Sequence, residues 1–481
     1  MELRQERLKK LAALQEAGIN PYPATSKRTH TIEEFISSFG VLSTTNAVWI
    51  TGRIKSLRAH GKAAFVDIED ASGKVQLFLS EADTELFSLF LNTLDEGDFI
   101  QATGTPYLSK TNQKSLKVSS LSLLSKALLP LPKEWFGLKN EEERYRKRYL
   151  DLLLNPEIRE TFVKKAAFWR SMREFLHQEG FMEVETPSLE PIPGGADARP
   201  FVTHLNALDI DLYLRISLEL YQKRLIVGGF EKIFEIGRIF RNEGIDNEHL
   251  QDYTQLEFYW AWVDYHQLMD FVQRMYRKII FDTLGSYTHT WQEHTIDWNK
   301  EWKTYDYYEL FKEKVGLDLA KTDEQELRQK AKELGLNPEK HAGKGRVIDL
   351  LFKKEIRPTL IEPGFLINTP TEVEPLAKRM ENDPSRVQRM QVVACGSELG
   401  KGYSELNDPL DQRKRMEEQL ALREAGDDEA QRLDEDFIEA LEYGMPPTAG
   451  FGVSERLFSV IMNKPVRETT YFPLMRPRHK K

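Results

Sequence analysis

The stretch Phe234–Asp264, FEIGRIFRNEGIDNEHLQDYTQLEFYWAWVD, gathers the side chains best suited to chemistry. Apolar residues alternate on both sides of Gly244–Asp252, which predicts two strands joined by a polar loop. On the second strand Leu256, Phe258 and Trp260 fall on one face, and Tyr253, Gln255, Glu257 and Tyr259 on the other. On the first, Phe234, Ile236 and Phe240 oppose Glu235, Arg241 and Glu243. The polar face holds too much charge for a core and too many aromatics for a solvated surface. An arginine can grip a phosphate bidentately, a ring can stack on a base, and a carboxylate beside a tyrosine can hold an ammonium. The pattern suits a nucleotide together with a cationic metabolite. It suits equally a salt-bridged antiparallel sheet with no ligand.

Behind these residues must stand a scaffold. The chain has 481 residues, 40% hydrophobic and 30% charged, an ordinary globular composition with room for two or three domains. Met1 is followed by the charged run ELRQERLKK, without the apolar core of a signal peptide, and no run is long enough to cross a bilayer. A cytoplasmic protein with no membrane partner is expected. The single cysteine, Cys395, excludes an internal disulfide or a cysteine-based zinc cluster. His289 and His294 are close in sequence but lack further ligands, so no metal role is expected of them. The net charge of −9 argues against a protein coated in nucleic acid but leaves a local RNA contact open. Basic residues do cluster at Arg53, Lys55, Arg58, Lys62 and Lys74, near the start (Arg4, Arg7, Lys9, Lys10) and near the end (Arg476, Arg478, Lys480, Lys481).

Residues 2–17 read as an amphipathic helix stopped near Gly18. From Ala47 to about Ser125 come VWITGRI, AAFVDIE, KVQLFLS, FIQATGTPYL and LKVSSLSLL, with a turn signal at Asp70–Gly73. Five short strands in so short a span suggest a small barrel, and the OB-fold is the barrel that binds oligonucleotides. Alternation turns Val66, Ile68, Val75, Leu77 and Leu79 inward and Phe65, Gln76 and Phe78 outward, beside basic residues, as base stacking requires. A stray surface phenylalanine is the plain alternative. The expected organisation is an N-terminal helix and barrel over residues 1–128, a linker over 129–145 and a second domain over 146–481. In the latter, Ala166–Gln178 has helical spacing and MEVETP reads as a strand. Gly194-Gly195 reads as a loop, and Ser217 can cap a helix with Glu219 in its first turn. Residues 283–345 read as a charged helical insertion without chemistry.

The run FRNEG, followed by a loop and YTQLEFYWA, resembles motif 2 of the class II aminoacyl-tRNA synthetases. The longer run RPFVTHLNALDIDLYLRISLELYQKRLIVGGFEKIFEIGRIFRNEG is similar to the bacterial-type lysyl-tRNA synthetases, and the resemblance covers nearly the whole chain. GSELGKGYSELNDPLDQ and PPTAGFGVSERL resemble further segments of that family, the latter its motif 3. The resemblance implies an α+β fold, with an N-terminal OB-fold β-barrel plus a catalytic domain whose mixed, mainly antiparallel sheet is flanked by helices. It implies ATP, L-lysine and tRNA(Lys) as partners, Mg²⁺ as cofactor, and a homodimer formed through the motif 1 helix and strand around 166–187. It implies ligation of lysine to tRNA through a lysyl-adenylate.

Residue by residue, the resemblance assigns Arg58, Phe65 and Gln76 to the anticodon. ATP falls to Arg241, Glu243, His249, Tyr253, Glu398 and Arg456, of which Arg241 and Arg456 are catalytic and Glu398 also binds Mg²⁺. Lysine falls to Gly195, Glu219, Glu257, Tyr259, Tyr403 and Glu405, with Glu219 on the α-amino group. The chemistry is coherent, because an ammonium taken out of water needs carboxylates around it. Three departures stand against the family pattern. One residue is missing between Gly450 and Arg456, Gln391 replaces a common metal-binding glutamate, and Lys401 replaces a frequent asparagine. A ligase acting on a protein would lack the barrel, and a non-catalytic RNA-binding paralogue would suit the departures.

Overall fold

Alternation of buried and half-exposed residues builds the N-terminal barrel. The computed structural model describes residues 2–42, 48–109, 111–132, 140–244, 246, 248–339 and 342–478. Strands β1 (Val48–His60), β2 (Ala63–Glu69), β3 (Lys74–Ser80), β4 (Phe99–Leu108) and β5 (Lys114–Ser125) close in the order β1-β2-β3-β5-β4. Val66, Ile68, Val75, Leu77 and Leu79 are buried inside, as their spacing predicts. Asp70 makes the β2–β3 turn. Its carboxylate accepts from the Ser72 and Gly73 amides, and its own amide donates to the Gly73 carbonyl at 3.0 Å. A Cβ on Gly104 would lie 1.8 Å from the Lys117 carbonyl oxygen, so glycine lets β4 and β5 approach at a register shift.

The chain divides into two units, Met1–Lys139 and Asn140–Lys481. Residues 133–139 of the expected linker, like Lys480 and Lys481, lie outside the described residues. Its last part is not a linker. The run EEERYR forms the helix Glu141–Arg146, capped by the Asn140 side chain, with Glu142–Arg146 and Glu143–Lys147 paired at i, i+4.

Strand β6 (Met182–Glu183) opens the second unit's strands. Three short ones follow as a separate sheet, β7 (Leu189–Glu190), β8 (Val202–Leu205) and β9 (Ile210–Leu214). Next come β10 (Lys232–Phe240), β11 (Asp252–Ala261), a hairpin of β12 (Thr288–Trp291) with β13 (His294–Asp297), and β14 (Lys303–Asp306). The last are β15 (Gly364–Ile367), β16 (Arg389–Ala394), β17 (Ser397–Ser404) and β18 (Thr448–Ser454). The main sheet has eight strands in the order β14-β15-β16-β17-β18-β11-β10-β6. All neighbours are antiparallel except β14 with β15 and β6 with β10, so the sheet is mixed and mainly antiparallel.

One face of this sheet is closed by the helices Pro156–Gln178 and Tyr265–Leu284. The second buries Leu268, Phe271, Val272, Met275, Tyr276, Ile279 and Ile280, a three- and four-residue spacing that gives one apolar stripe. Asp264 caps its start through the His266 and Gln267 amides, and Gly285 ends it at φ +73°. Phe258, Phe271, Phe175 and Phe181 interlock there, each buried side chain contributing about 1.5–3 kcal/mol. Among the described residues no helix is long and apolar enough to cross a membrane.

Two expectations need correction. The helix expected from Ala166 begins at Pro156, because proline at the first helical position starts a helix, and the strand after it has only two residues. Residues 283–345 are not simply a charged insertion. They include the β12–β13 hairpin and β14, an edge strand of the main sheet. Their helices Tyr307–Lys314 and Glu324–Glu333 pack Tyr307, Phe311 and Leu327 into a second core with Val347, Leu351 and Phe352. In Glu324–Glu333 only Leu327 and Ala331 are buried, so charge dominates the sequence while two residues carry the packing.

Candidate active site

On the sheet face opposite the long helices, β11, β16, β17 and β18 floor a cavity of about 790 Å³. It brings together all six residues expected at ATP and all six expected at lysine. The alternation along β11 does this, turning Tyr253, Gln255, Glu257 and Tyr259 into the cavity and Leu256 and Phe258 into the core. Across from them, Gly452 pairs with Glu257 and Gly450 with Tyr259. A Cβ on Gly450 would lie 2.3 Å from Glu405 Oε1 and 2.5 Å from Tyr259 Cε1. That is the physical need for the first glycine of the Gly-x-Gly of β18; a Cβ on Gly452 would come no closer than 3.5 Å to its neighbours.

One group of side chains is acidic and nearly dry. Glu257 accepts hydrogen bonds from Ser217 Oγ (2.8 Å), the Leu218 amide (3.1 Å), Gln255 Nε2 (2.6 Å) and Tyr259 Oη (3.2 Å). Ser217 thus serves Glu257; the residue flanking the helix Glu219–Val227 is Leu218, although the Glu219 amide still reaches Ser217 Oγ at 3.3 Å. Glu219 accepts from Tyr403 Oη at 2.7 and 2.8 Å and from Lys223 Nζ at 2.5 Å. Lys223 is fully buried and also ion-paired to Glu405 through Oε2. Burial raises the Glu257 carboxyl and raises Glu405 well above its ordinary range. Burial would lower Lys223, but Glu219 and Glu405 outweigh it and push its ammonium up to about 12. Gly195, at φ +83°, lies so close that a Cβ would meet Ser217 and Glu219 at 2.9 Å. Sequence reasoning missed Lys223. Its signal was the Glu219–Lys223 spacing of i, i+4 on a helix.

The second group is cationic. Arg241 and Glu243 lie just past β10 rather than on it, Arg241 donating to the Ile216 carbonyl at 3.2 Å with its guanidinium 5.7 Å from the Tyr253 ring centre. His249 is held by Asp246 at 2.7 Å. Arg456 is the first residue of the helix Arg456–Ile461, and its buried Nε has no partner among the described residues. Burial opposes ionisation of Glu398, but Lys353, Arg389, Arg456 and Arg357 together bring its carboxyl below the ordinary range. Lys353, Arg357 and Arg389 also line the cavity, and the sequence alone had not singled them out.

Both polar departures take part in one network. Arg389 donates to Gln391 Oε1 at 3.1 Å and Thr369 Oγ1 at 2.8 Å, and pairs with Glu374 at 3.2 Å. Lys401, cross-strand from Gln391, pairs with the same Glu374 at 2.9 Å. The Lys401 ammonium therefore answers Glu374, not Glu398. Among the described residues no three His, Cys, Asp or Glu side chains converge as a metal site. His289 accepts from Trp298 Nε1 at 3.2 Å, and burial lowers it to about 4.

On the barrel, Arg58 pairs across β1–β2 with Phe65, and Gln76 across β2–β3 with Asp67. Asp67 accepts from Arg58 at 2.9 Å and from Gln76 at 3.3 Å, tying the three expected residues into one patch. Phe65 lies 5.3 Å from Phe78, which stacks on Tyr107 at 5.6 Å. Tyr107 extends the aromatic face beyond what the sequence reading named.

Both units of the chain match known families. Residues 140–476 match the model for tRNA synthetases class II (D, K and N), and residues 48–124 match an OB-fold nucleic acid binding domain. The chain belongs to the class II tRNA synthetases. It is 45% identical to the "Lysine--tRNA ligase" of Roseiflexus castenholzii over 99% of both chains. It is also 45% identical to that of Carboxydothermus hydrogenoformans over 99% of this chain and 98% of the relative, and 44% identical to that of Moorella thermoacetica over the same shares. Within the class, its family is that of the lysine--tRNA ligases.

Proposed function

We propose that this protein ligates L-lysine to the 3′ end of tRNA(Lys) in two steps, using ATP. One observation carries the choice of amino acid: three buried carboxylates, Glu219, Glu257 and Glu405, meet two tyrosines in a cavity whose other group is cationic. Buried carboxylates favour a cationic guest, because each one left unpaired is costly. Glu257, Tyr259 and Glu405 take the side-chain ammonium of lysine, while Glu219 and Tyr403, with Gly195 leaving room, face its α-ammonium.

In the first step the lysine carboxylate attacks the α-phosphorus of ATP, and the bond to pyrophosphate breaks. Arg241 holds the reacting carboxylate and phosphate, Tyr253, Glu243 and His249 position the nucleotide, and Arg456 meets the terminal phosphates. In the second step the terminal ribose hydroxyl of the RNA attacks the lysyl carbonyl and AMP leaves. Glu398 is the carboxylate that would hold one Mg²⁺, and the ion would neutralise charge on the polyphosphate. Gln391 does not suit a second ion, since Arg389 already occupies its oxygen. The barrel reads the anticodon through Arg58, Phe65 and Gln76. The proposed protein is a cytoplasmic homodimer, and the exposed Val163, Met182 and Leu189 in the motif 1 region support a partner there.

Lysine-dependent ATP–pyrophosphate exchange tests the reading. Glu405→Gln keeps the shape and removes the charge, so lysine kcat/KM should drop about 100-fold, equivalent to ~3 kcal/mol, with ATP affinity little changed. No exchange with any amino acid, but retained tRNA binding, would mark an RNA-binding protein instead.

A further inference from the structure

Lys223 is fully buried beside carboxylates to which the proposed function gives the substrate. Its ammonium touches Glu219 on its own helix and Glu405 just past β17. Tyr403 from β17 and Phe437 from the helix Glu435–Glu442 complete its surroundings, their ring centres 5.6 and 5.9 Å away. Tyr259 and Glu257 on β11 stand one step further, joined to each other by a hydrogen bond. Glu374 is the other nearby carboxylate, and Arg389 and Lys401 already balance it.

We propose that Lys223 is a built-in countercharge that leaves the amino-acid pocket with two negative charges, matched to the two ammonium groups of free lysine. Three carboxylates surround one fixed ammonium, and their surplus of two equals the charge of the two ammonium groups of lysine, whose carboxylate falls to Arg241. Without Lys223 the surplus would be three. A buried carboxylate that finds no cation takes a proton instead, and a protonated carboxyl cannot serve an ammonium as an ion pair. Lys223 thus acts through Glu219 and Glu405 and is a positioning residue, not a catalytic one. This inference rests on the reading of lysine as substrate.

The test uses the full chain in lysine-dependent ATP–pyrophosphate exchange across about pH 6 to 9, with circular dichroism to check folding. Lys223→Met should lower lysine kcat/KM on the order of 100-fold at neutral pH, mainly through KM for lysine. The loss should shrink as pH rises, because the extra carboxyl proton is then released. Lys223→Arg keeps the charge and should retain the profile of the unsubstituted protein. Pairing Lys223→Met with Glu219→Gln removes one charge of each sign, so this variant should fold at least as well as the single one and lose the pH-dependent limb. A Lys223→Met enzyme with an unchanged lysine KM and profile would overturn the proposal. So would a Lys223→Arg enzyme that behaves like Lys223→Met, or a paired variant that keeps the limb or is less stable than the single one. Failure of the unsubstituted protein to exchange with lysine would overturn the substrate reading itself, and that result is visible before any variant is made.

Discussion

Gly450→Ala offers a sharp test of the amino-acid pocket, because it adds a single methyl group and no charge. Gly450 lies in β18 opposite Tyr259, and its backbone is not in the left-handed region, so alanine meets no backbone strain there. The obstacle is space. The new Cβ would fall 2.3 Å from Glu405 Oε1 and 2.5 and 2.7 Å from two carbons of the Tyr259 ring. A flexible, exposed carboxylate could swing away, but Glu405 is 2% exposed and Tyr259 is 3% exposed, and the ring is rigid. Overpacking of this kind costs about 1–3 kcal/mol. A domain stable by about 5–15 kcal/mol tolerates that, so the protein should fold, with a lowered Tm. The displaced groups are those proposed to hold the lysine ammonium. If the strain is relieved by moving them, lysine affinity should fall by about 5- to 150-fold. Exchange kinetics with lysine and ATP varied separately would show a raised KM for lysine and a nearly constant KM for ATP. An unchanged lysine KM in a folded variant would refute the placement of the substrate against Glu405 and Tyr259.

Phe65→Ala should weaken tRNA charging by the loss of a stacking contact of ~1–3 kcal/mol per base while pyrophosphate exchange survives; an equal fall in both would deny the barrel an independent role. Mn²⁺ titrated with a non-hydrolysable ATP analogue and lysine, followed by electron paramagnetic resonance, should bind as one tight ion per chain. Two tight ions would contradict the donor set read at Glu398 and Gln391. His289 is lowered to about 4 in the folded protein from an ordinary 6.5, so below the latter value the unfolded chain binds the extra proton. Its share of stability is complete above about pH 6.5 and disappears as pH falls toward about 4. Urea midpoints of the parent and of His289→Gln should converge over that window, and parallel curves would exclude His289 as the cause.

Much of the cavity could be read from local pattern. Period-two alternation sorted Glu257 and Tyr259 from Leu256 and Phe258, and sorted Phe65 from Val66, because a strand obeys that rule wherever one face is buried. The cationic wall was harder. Lys353 and Arg357 belong to a helical stretch far along the chain, and Arg389 to β16, so only the tertiary fold brings them near Glu398. Arg241 and Glu243 were placed on a strand that stops at Phe240, an ordinary uncertainty of element ends. Lys223 escaped because a lysine in a helix is normally solvated, and the i, i+4 partner Glu219 gives no sign that the chain-distant Glu405 closes over it as well. The strands of the 283–345 segment escaped because charged residues outnumber the few side chains that pack.

The strand order of the main sheet has a bearing on synthesis. β18 is inserted between β11 and β17, yet it is the last strand made, after every other strand of the sheet has left the ribosome. Until it arrives, β11 lacks the neighbour that carries Gly450 and Gly452, and Glu257, Tyr259 and Glu405 have no common wall. The barrel needs only residues 48–125 to close and can fold while translation continues. A nascent chain can therefore complete the barrel proposed to read RNA well before the pocket proposed for lysine. Incomplete chains that stop short of β18 would bind RNA unproductively and expose an unpaired strand edge, a natural target for quality control.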